Sequence, residues 1–288
     1  MRMPRVDRVA LGVAAVAVAT VAFAAATPTQ GTERTERTER TGASAPASAP
    51  APAPAPVTGP APPVQSAAQS PLAGVVVLVD PGHNGANGRH PAETGRLVDA
   101  GGFHKPCNST GTTSITGVSE STTNLSVARE LGRQLTARGA TVAYTRTDDV
   151  GWGPCIDERG RAAGRAGASV AVSLHADGTE SGAGRGFHVI VPAELPGYTD
   201  DIAADSLRLG VTVRSALTAD GFSPSTYIAG DGLVVRGDLG TLNWSDIPIV
   251  MLEAGNLRNA DDARLLESPD GQGRLAASLV AALGEFLS

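Results

Sequence analysis

The chain has 288 residues, with 29 acidic against 23 basic side chains, a formal charge of −6 and 3% aromatic residues. Nucleic-acid binding rests on Lys and Arg neutralising phosphates and on aromatic platforms for bases, so this balance excludes nucleic acid as a partner. The first 71 residues hold six of the arginines and four of the acids, which leaves the remainder more acidic still, with Lys105 as its single lysine.

Arg2, Arg5 and Arg8 precede an apolar run from Val9 to Ala26 that ends in small residues. That is the charged, apolar and cleavage-region layout of a secretory signal, assigned to residues 1–26. The alternative is an uncleaved anchor, for which about 18 apolar residues are barely enough to span a bilayer. Cleavage leaves no stable membrane insertion and places the protein in the secreted, periplasmic or cell-wall space. Residues 27–71 carry Thr-Glu-Arg three times from Thr32 to Arg40, then Ala, Pro and Ser. This composition has too little apolar area to offset its ordering entropy, and its prolines favour extended chain, so it reads as a disordered spacer.

Residues 72–288 are enough for one sizeable core. Val75 to Val79 is an unbroken apolar run that stops at Asp80-Pro81-Gly82, the pattern of a strand buried on both faces that ends in a turn. His83 follows. From Asn84 to Thr116 the chain is rich in Gly, Thr and Asn without apolar periodicity, a long loop expected to cover one side of a crevice. Cys107 and Cys155 read as a disulfide in an exported chain, with two buried thiols or a cysteine metal ligand as alternatives.

Glu120 opens a helical pattern, Ser121 to Arg138, with Leu125, Ala128, Leu131 and Leu135 at three- and four-residue spacing and a stop at Gly139. A strand over Thr141–Thr145 and a short helix over Ile156–Ala166 come next. Ser169–Leu174 is a strand running into His175. Gly186–Val191 is another, with His188 packed inside it. A helix over Asp201–Ala219, a short strand over Gly232–Val235, a strand over Ile247–Leu252 running into Glu253, and helices over Asn259–Glu267 and Gln272–Leu287 complete the chain. Strands alternating with helices predict an α/β domain with a mostly parallel sheet and helices on both faces.

Ligand sites in open α/β sheets lie outside the carboxyl ends of the strands. His83, His175 and Glu253 reach that edge on three strands, and Glu120 reaches it from the start of its helix. Two imidazoles and one carboxylate form a catalytic zinc set that leaves a position for water, and a further carboxylate nearby can carry a proton. Each residue alone has a plainer reading: a loop histidine, a helix N-terminal acid, a paired core-edge carboxylate. Their convergence favours the metal. His90 and His104 read as surface or substrate-contact residues. Gly117-Val118-Ser119-Glu120-Ser121 lacks the second glycine of a nucleophile elbow, and no phosphate loop with Gly-Lys-Ser or Gly-Lys-Thr is present. Metal-assisted hydrolysis remains.

With these residues placed, the chain resembles the zinc-dependent N-acetylmuramoyl-L-alanine amidases of peptidoglycan. The resemblance spans Gly74 to Leu287. It rests on Val79 to Gly85, Glu120, Thr145-Arg146-Thr147-Asp148, Glu158-Arg159, Val172 to Asp177, and Ile247 to Asn259. It implies a single α/β domain at 72–288 with a twisted sheet of about six strands. It also implies one Zn2+ per chain on His83, Glu120 and His175, and Glu253 as the catalytic glutamate. The substrate would be a peptidoglycan muropeptide, cut between N-acetylmuramic acid and L-alanine. Asp177 and Gly164 stand where the family has Asn, and Asn256 where an aromatic is frequent, which bears on substrate fit. A zinc peptidase acting on stem peptides and a catalytically inactive wall-binding module are the competing functions, and a protein activator stays open.

Overall fold

The computed structural model describes residues 71–179 and 181–288. The predicted signal segment, and the spacer up to its last residue, lie outside the described residues.

The sheet begins with β1 (Val76–Pro81), which pairs in parallel with β4 (Thr141–Tyr144) on one side and β5 (Val170–Asp177) on the other. β8 (Ile249–Asn256) runs parallel to β5. β6 (His188–Pro192) runs antiparallel to β8, and β7 (Leu233–Arg236) closes the edge parallel to β6. The order β4-β1-β5-β8-β6-β7 puts β1, β5 and β8 side by side at the centre. The continuous apolar runs of these strands follow from that position, because both faces are covered.

Alternation divides the strands between two cores. Val77, Val79, Val172 and Leu252 pack under α2 (Glu120–Ala137), α5 (Ala203–Ala219) and α8 (Pro269–Phe286), which contribute Leu131, Leu135, Leu209, Val213, Leu279 and Leu283. Leu78, Ala171, Ile190, Ile249 and Met251 face the other way, toward α4 (Ala162–Arg165) and α6 (Gly240–Asn243) through Ala163 and Leu242. Side chains cap the starts of α2 and of the helix after β8. Ser119 accepts from the Thr122 amide at the start of α2, and Asn259 accepts from the Asp261 and Asp262 amides at the start of α7 (Ala260–Glu267).

Two expectations need correction. The strands carrying His175 and Glu253 do not end there: β5 continues to Asp177 and β8 to Asn256, so both residues lie within strands. The segment 84–116 is not irregular throughout. It holds a short helix, α1 (Pro91–Thr94), and a hairpin of β2 (Leu97–Asp99) and β3 (His104–Pro106). Strands of three residues are too short to show a period, and an isolated hairpin is marginal in water. This one is fastened from outside. Cys107 is bridged to Cys155, the residue before α3 (Ile156–Gly160), while Trp244 Nε1 donates to the Asp99 carbonyl and Asn243 Nδ2 to that of Ala100. The two cysteines are therefore the predicted disulfide, with no free cysteine among the described residues.

Candidate active site

The site is built on the turn that follows β1. His83 has φ 58°, a left-handed conformation that costs a non-glycine residue on the order of 1–3 kcal/mol unless its surroundings hold it. Two buried arginines do so. Arg159 Nη2 donates to the His83 carbonyl at 2.6 Å and its Nη1 to that of Pro81 at 2.7 Å. Arg146 donates to the carbonyls of Pro81, Gly82 and Ser121, tying the turn to the first residues of α2. Burial lowers the Arg146 pKa to about 10, which still leaves it charged at neutral pH. The Arg159 charge is met by Asp80, buried beside it at 2.6 Å. Burial would raise the Asp80 pKa, but Arg159 and hydroxyl donors from Ser173 and Thr145 leave it below the ordinary value.

Glu120, the first residue of α2, is 5% exposed and reaches across to both histidines. His83 Nε2 and His175 Nδ1 each lie 3.1 Å from its Oε1, and the rings stand edge to face with centroids 4.8 Å apart. Its other oxygen accepts from the Thr112 amide at 2.9 Å, and the Ala176 amide and Asn124 Nδ2 donate to Oε1. Burial opposes the charge on Glu120, but the hydrogen bonds from His175 and His83 hold its pKa well below the usual range. Two glycines make room. A Cβ at Gly82 would overlap the His175 ring, and one at Gly111 would lie 2.7 Å from Glu120 Oε2.

This donor set fits a metal ion. His83 Nδ1 donates to the Ser109 carbonyl at 3.0 Å, which leaves Nε2, beside Glu120, as the ring nitrogen that would hold the ion. One ligand atom from each of His83, Glu120 and His175 lies within 4.8 Å of the others, a cluster that could hold a metal ion.

Glu253 stands directly across the β5–β8 ladder from His175 and on its other side faces His188. Burial first, then the negative charges of Asp177 and Glu120, push its pKa well above the ordinary value. A cleft of about 330 Å³ opens beside His83, His175 and Glu253, walled by Lys105 and Pro106 of the hairpin and by Leu239. A second, of about 260 Å³, lies against Glu120 and the same three residues, between Thr110–Thr112 and Asp177–Gly178.

The four residues singled out in the sequence thus come together. A match to the family described as N-acetylmuramoyl-L-alanine amidase covers residues 77–285. The chain belongs to this family. The amidase is 39% identical over 230 residues to N-acetylmuramoyl-L-alanine amidase Rv3717 of Mycobacterium tuberculosis, covering 79% of this chain and 93% of that one. Its fold is that of the N-acetylmuramyl-L-alanine amidase Ami1 from Mycobacterium smegmatis, with TM-score 0.70, 36% identity, and coverage of 75% of this chain and 98% of the other. The Ami1 of Mycobacterium abscessus gives TM-score 0.70 and 37% identity, with coverage of 75% and 100%.

Two residues near the amidase site, Ser109 and Tyr227, carried no sequence signal. Ser109 meets His83 through its carbonyl, which any residue could supply. Tyr227, from the loop before β7, donates to Asp177 Oδ2 at 3.0 Å. His188 is packed as expected, 4% exposed, with Nε2 3.9 Å from the same carboxylate oxygen. Asn256, standing where an aromatic is frequent, is fully buried and donates to Thr179 Oγ1 and the Gly184 carbonyl, so it braces the loop after β5. His90 and His104 are not among the described residues that could hold a metal ion together.

Proposed function

We propose that this amidase hydrolyses the bond between the lactyl group of N-acetylmuramic acid and L-alanine with one zinc ion held by His83, Glu120 and His175. Glu253 is the proton carrier. The observation supporting this reading is the convergence of two imidazoles and a carboxylate on one point, with Glu253 in register beside His175. Zinc in such a set supplies Lewis acidity, polarising a carbonyl and acidifying a water.

The residues of the chain do the rest. Arg159 and Arg146 fix the His83 turn, and Ser109 fixes its tautomer. Glu253, with its raised pKa, takes the proton of the attacking water as the C–O bond forms. It returns that proton to the alanine nitrogen as the C–N bond breaks, making the amine a neutral leaving group. The clefts on either side give the two halves of the substrate separate walls. Relatives named as N-acetylmuramoyl-L-alanine amidases and the charged, apolar start of the chain support action outside the cytoplasm on peptidoglycan.

The deciding experiment incubates the full chain with a muramoyl pentapeptide and identifies products by mass spectrometry. Intact stem peptide with a free L-alanine amine is the expected product. A cut inside the peptide would replace the amidase with a peptidase on the same site.

A further inference from the structure

Trp152 is 40% exposed in a chain with only two tryptophans. The other, Trp244, is occupied: Arg161 lies over its ring at 3.6 Å and Tyr198 meets it edge-on. Trp152 instead stacks on the half-exposed ring of His90, centroids 5.9 Å apart and planes 28° from parallel, and Val150, two positions earlier in the chain, is 78% exposed. Leaving such a surface in water forgoes its burial energy, and an exposed apolar patch on a well-held loop marks a contact site.

The loop is well held. The buried Asn87 accepts from the Gly153 amide at 2.8 Å, and Asn84 Nδ2 donates to the Gly153 carbonyl at 3.1 Å. The Gly151 carbonyl accepts from the Ala86 amide. The loop is also close to the chemistry. Arg159 Nη2 donates both to the Gly153 carbonyl and to the His83 carbonyl, so Trp152 is the neighbour of a residue sharing one guanidinium nitrogen with the His83 turn.

We infer that Trp152 and His90 form a stacking platform for a pyranose ring of the glycan strand, one or more sugars away from the muramoyl residue being cut. The inference rests on the amidase reading for its substrate. Of the two halves of that substrate, only the glycan presents flat C–H faces that match an aromatic plane. The stem peptide offers small and charged side chains. Glu93, 3.7 Å from His90 Nδ1 and half exposed, places a carboxylate beside the platform for sugar hydroxyls and the N-acetyl amide.

The test uses the full chain, wild type, Trp152→Ala and Trp152→Tyr, each checked for an unchanged melting temperature. Peptide-free glycan strands and free stem peptide are titrated separately while tryptophan emission is followed. Glycan should shift the emission of wild type and leave that of Trp152→Ala unaltered. With peptide-bearing glycan strands, Trp152→Ala should raise KM about tenfold at nearly constant kcat, Trp152→Tyr should restore most of it, and a single muramoyl peptide should be cut equally well by all three. A glycan response that survives Trp152→Ala, equal KM on strands, or a response to stem peptide alone would each overturn the platform. Should wild type cleave no muramoyl amide, the amidase reading fails, and the emission titration still decides the platform.

Discussion

Glu253 lies directly opposite His175 across the parallel ladder of β5 and β8, one strand spacing of about 4.8 Å away. The proposed proton carrier and one of the proposed metal ligands are thus fixed to each other by main-chain pairing. Replacing Glu253 by Gln should remove the proton carrier and leave the ligands in place. Turnover should fall roughly 10²- to 10⁴-fold with metal content unchanged. Metal analysis beside product quantification checks this, and loss of metal in Glu253→Gln would argue that Glu253 is itself a ligand.

His83→Ala and His175→Ala should each abolish stoichiometric metal, since the remaining donors cannot close a site. A chelator should inactivate the wild type and added zinc restore it. Activity that withstands exhaustive chelation would contradict the metal assignment.

Asp177 raises the pKa of Glu253 by its negative charge. Because the mechanism needs Glu253 ionised to accept a proton, activity should fail on the acid side as Glu253 protonates. Asp177→Asn removes one opposing charge, so the acid limb of kcat/KM should move to lower pH. An unmoved limb would show that another group sets it.

The Asp80–Arg159 pair should carry a large share of stability at this end of the sheet. Both side chains are buried, so Asp80→Ala leaves an unpaired guanidinium and should cost about 3–5 kcal/mol. The folded Asp80 pKa is depressed, so its contribution is present above the unfolded carboxylate value near 3.9 and is lost as pH falls through the lower folded value. Denaturant titrations of wild type and Asp80→Asn should therefore converge as the pH drops below about 4. Parallel curves at all pH values would refute the linkage.

Paired Cys107→Ser and Cys155→Ser substitutions open a loop of sequence separation 48, worth about 4 kcal/mol by chain entropy. The same bridge anchors the hairpin that carries Lys105 and Pro106 into the cleft, so KM should rise as stability falls. An unchanged KM would mean that the contacts of Trp244, Asn243 and the Lys105–Asp238 pair hold the hairpin without the bridge.

Much of this was readable in the residues. Val75 to Val79 before Asp80-Pro81-Gly82 announced a central strand, and the spacing of Leu125, Ala128, Leu131 and Leu135 gave α2 nearly to the residue. The hairpin of β2 and β3 was hidden, because its stability comes from partners distant in sequence, 48 residues away at Cys155 and over a hundred at Asn243 and Trp244, rather than from its own pattern. Tyr227 was hidden because its partner, Asp177, lies 50 residues away in the chain.

Local patterning determined which segments became strands and helices, and placed His83, Glu120, His175 and Glu253 near one edge of the sheet, since burial period and turn chemistry are written in neighbouring residues. Tertiary structure alone decided the rest: the β5–β8 register that sets Glu253 against His175, the two arginines that hold His83 in a left-handed turn, and the acidic neighbours that raise Glu253. Register, buried charge pairs and pKa shifts depend on distances between segments far apart in the chain. Those distances exist only once the sheet has formed.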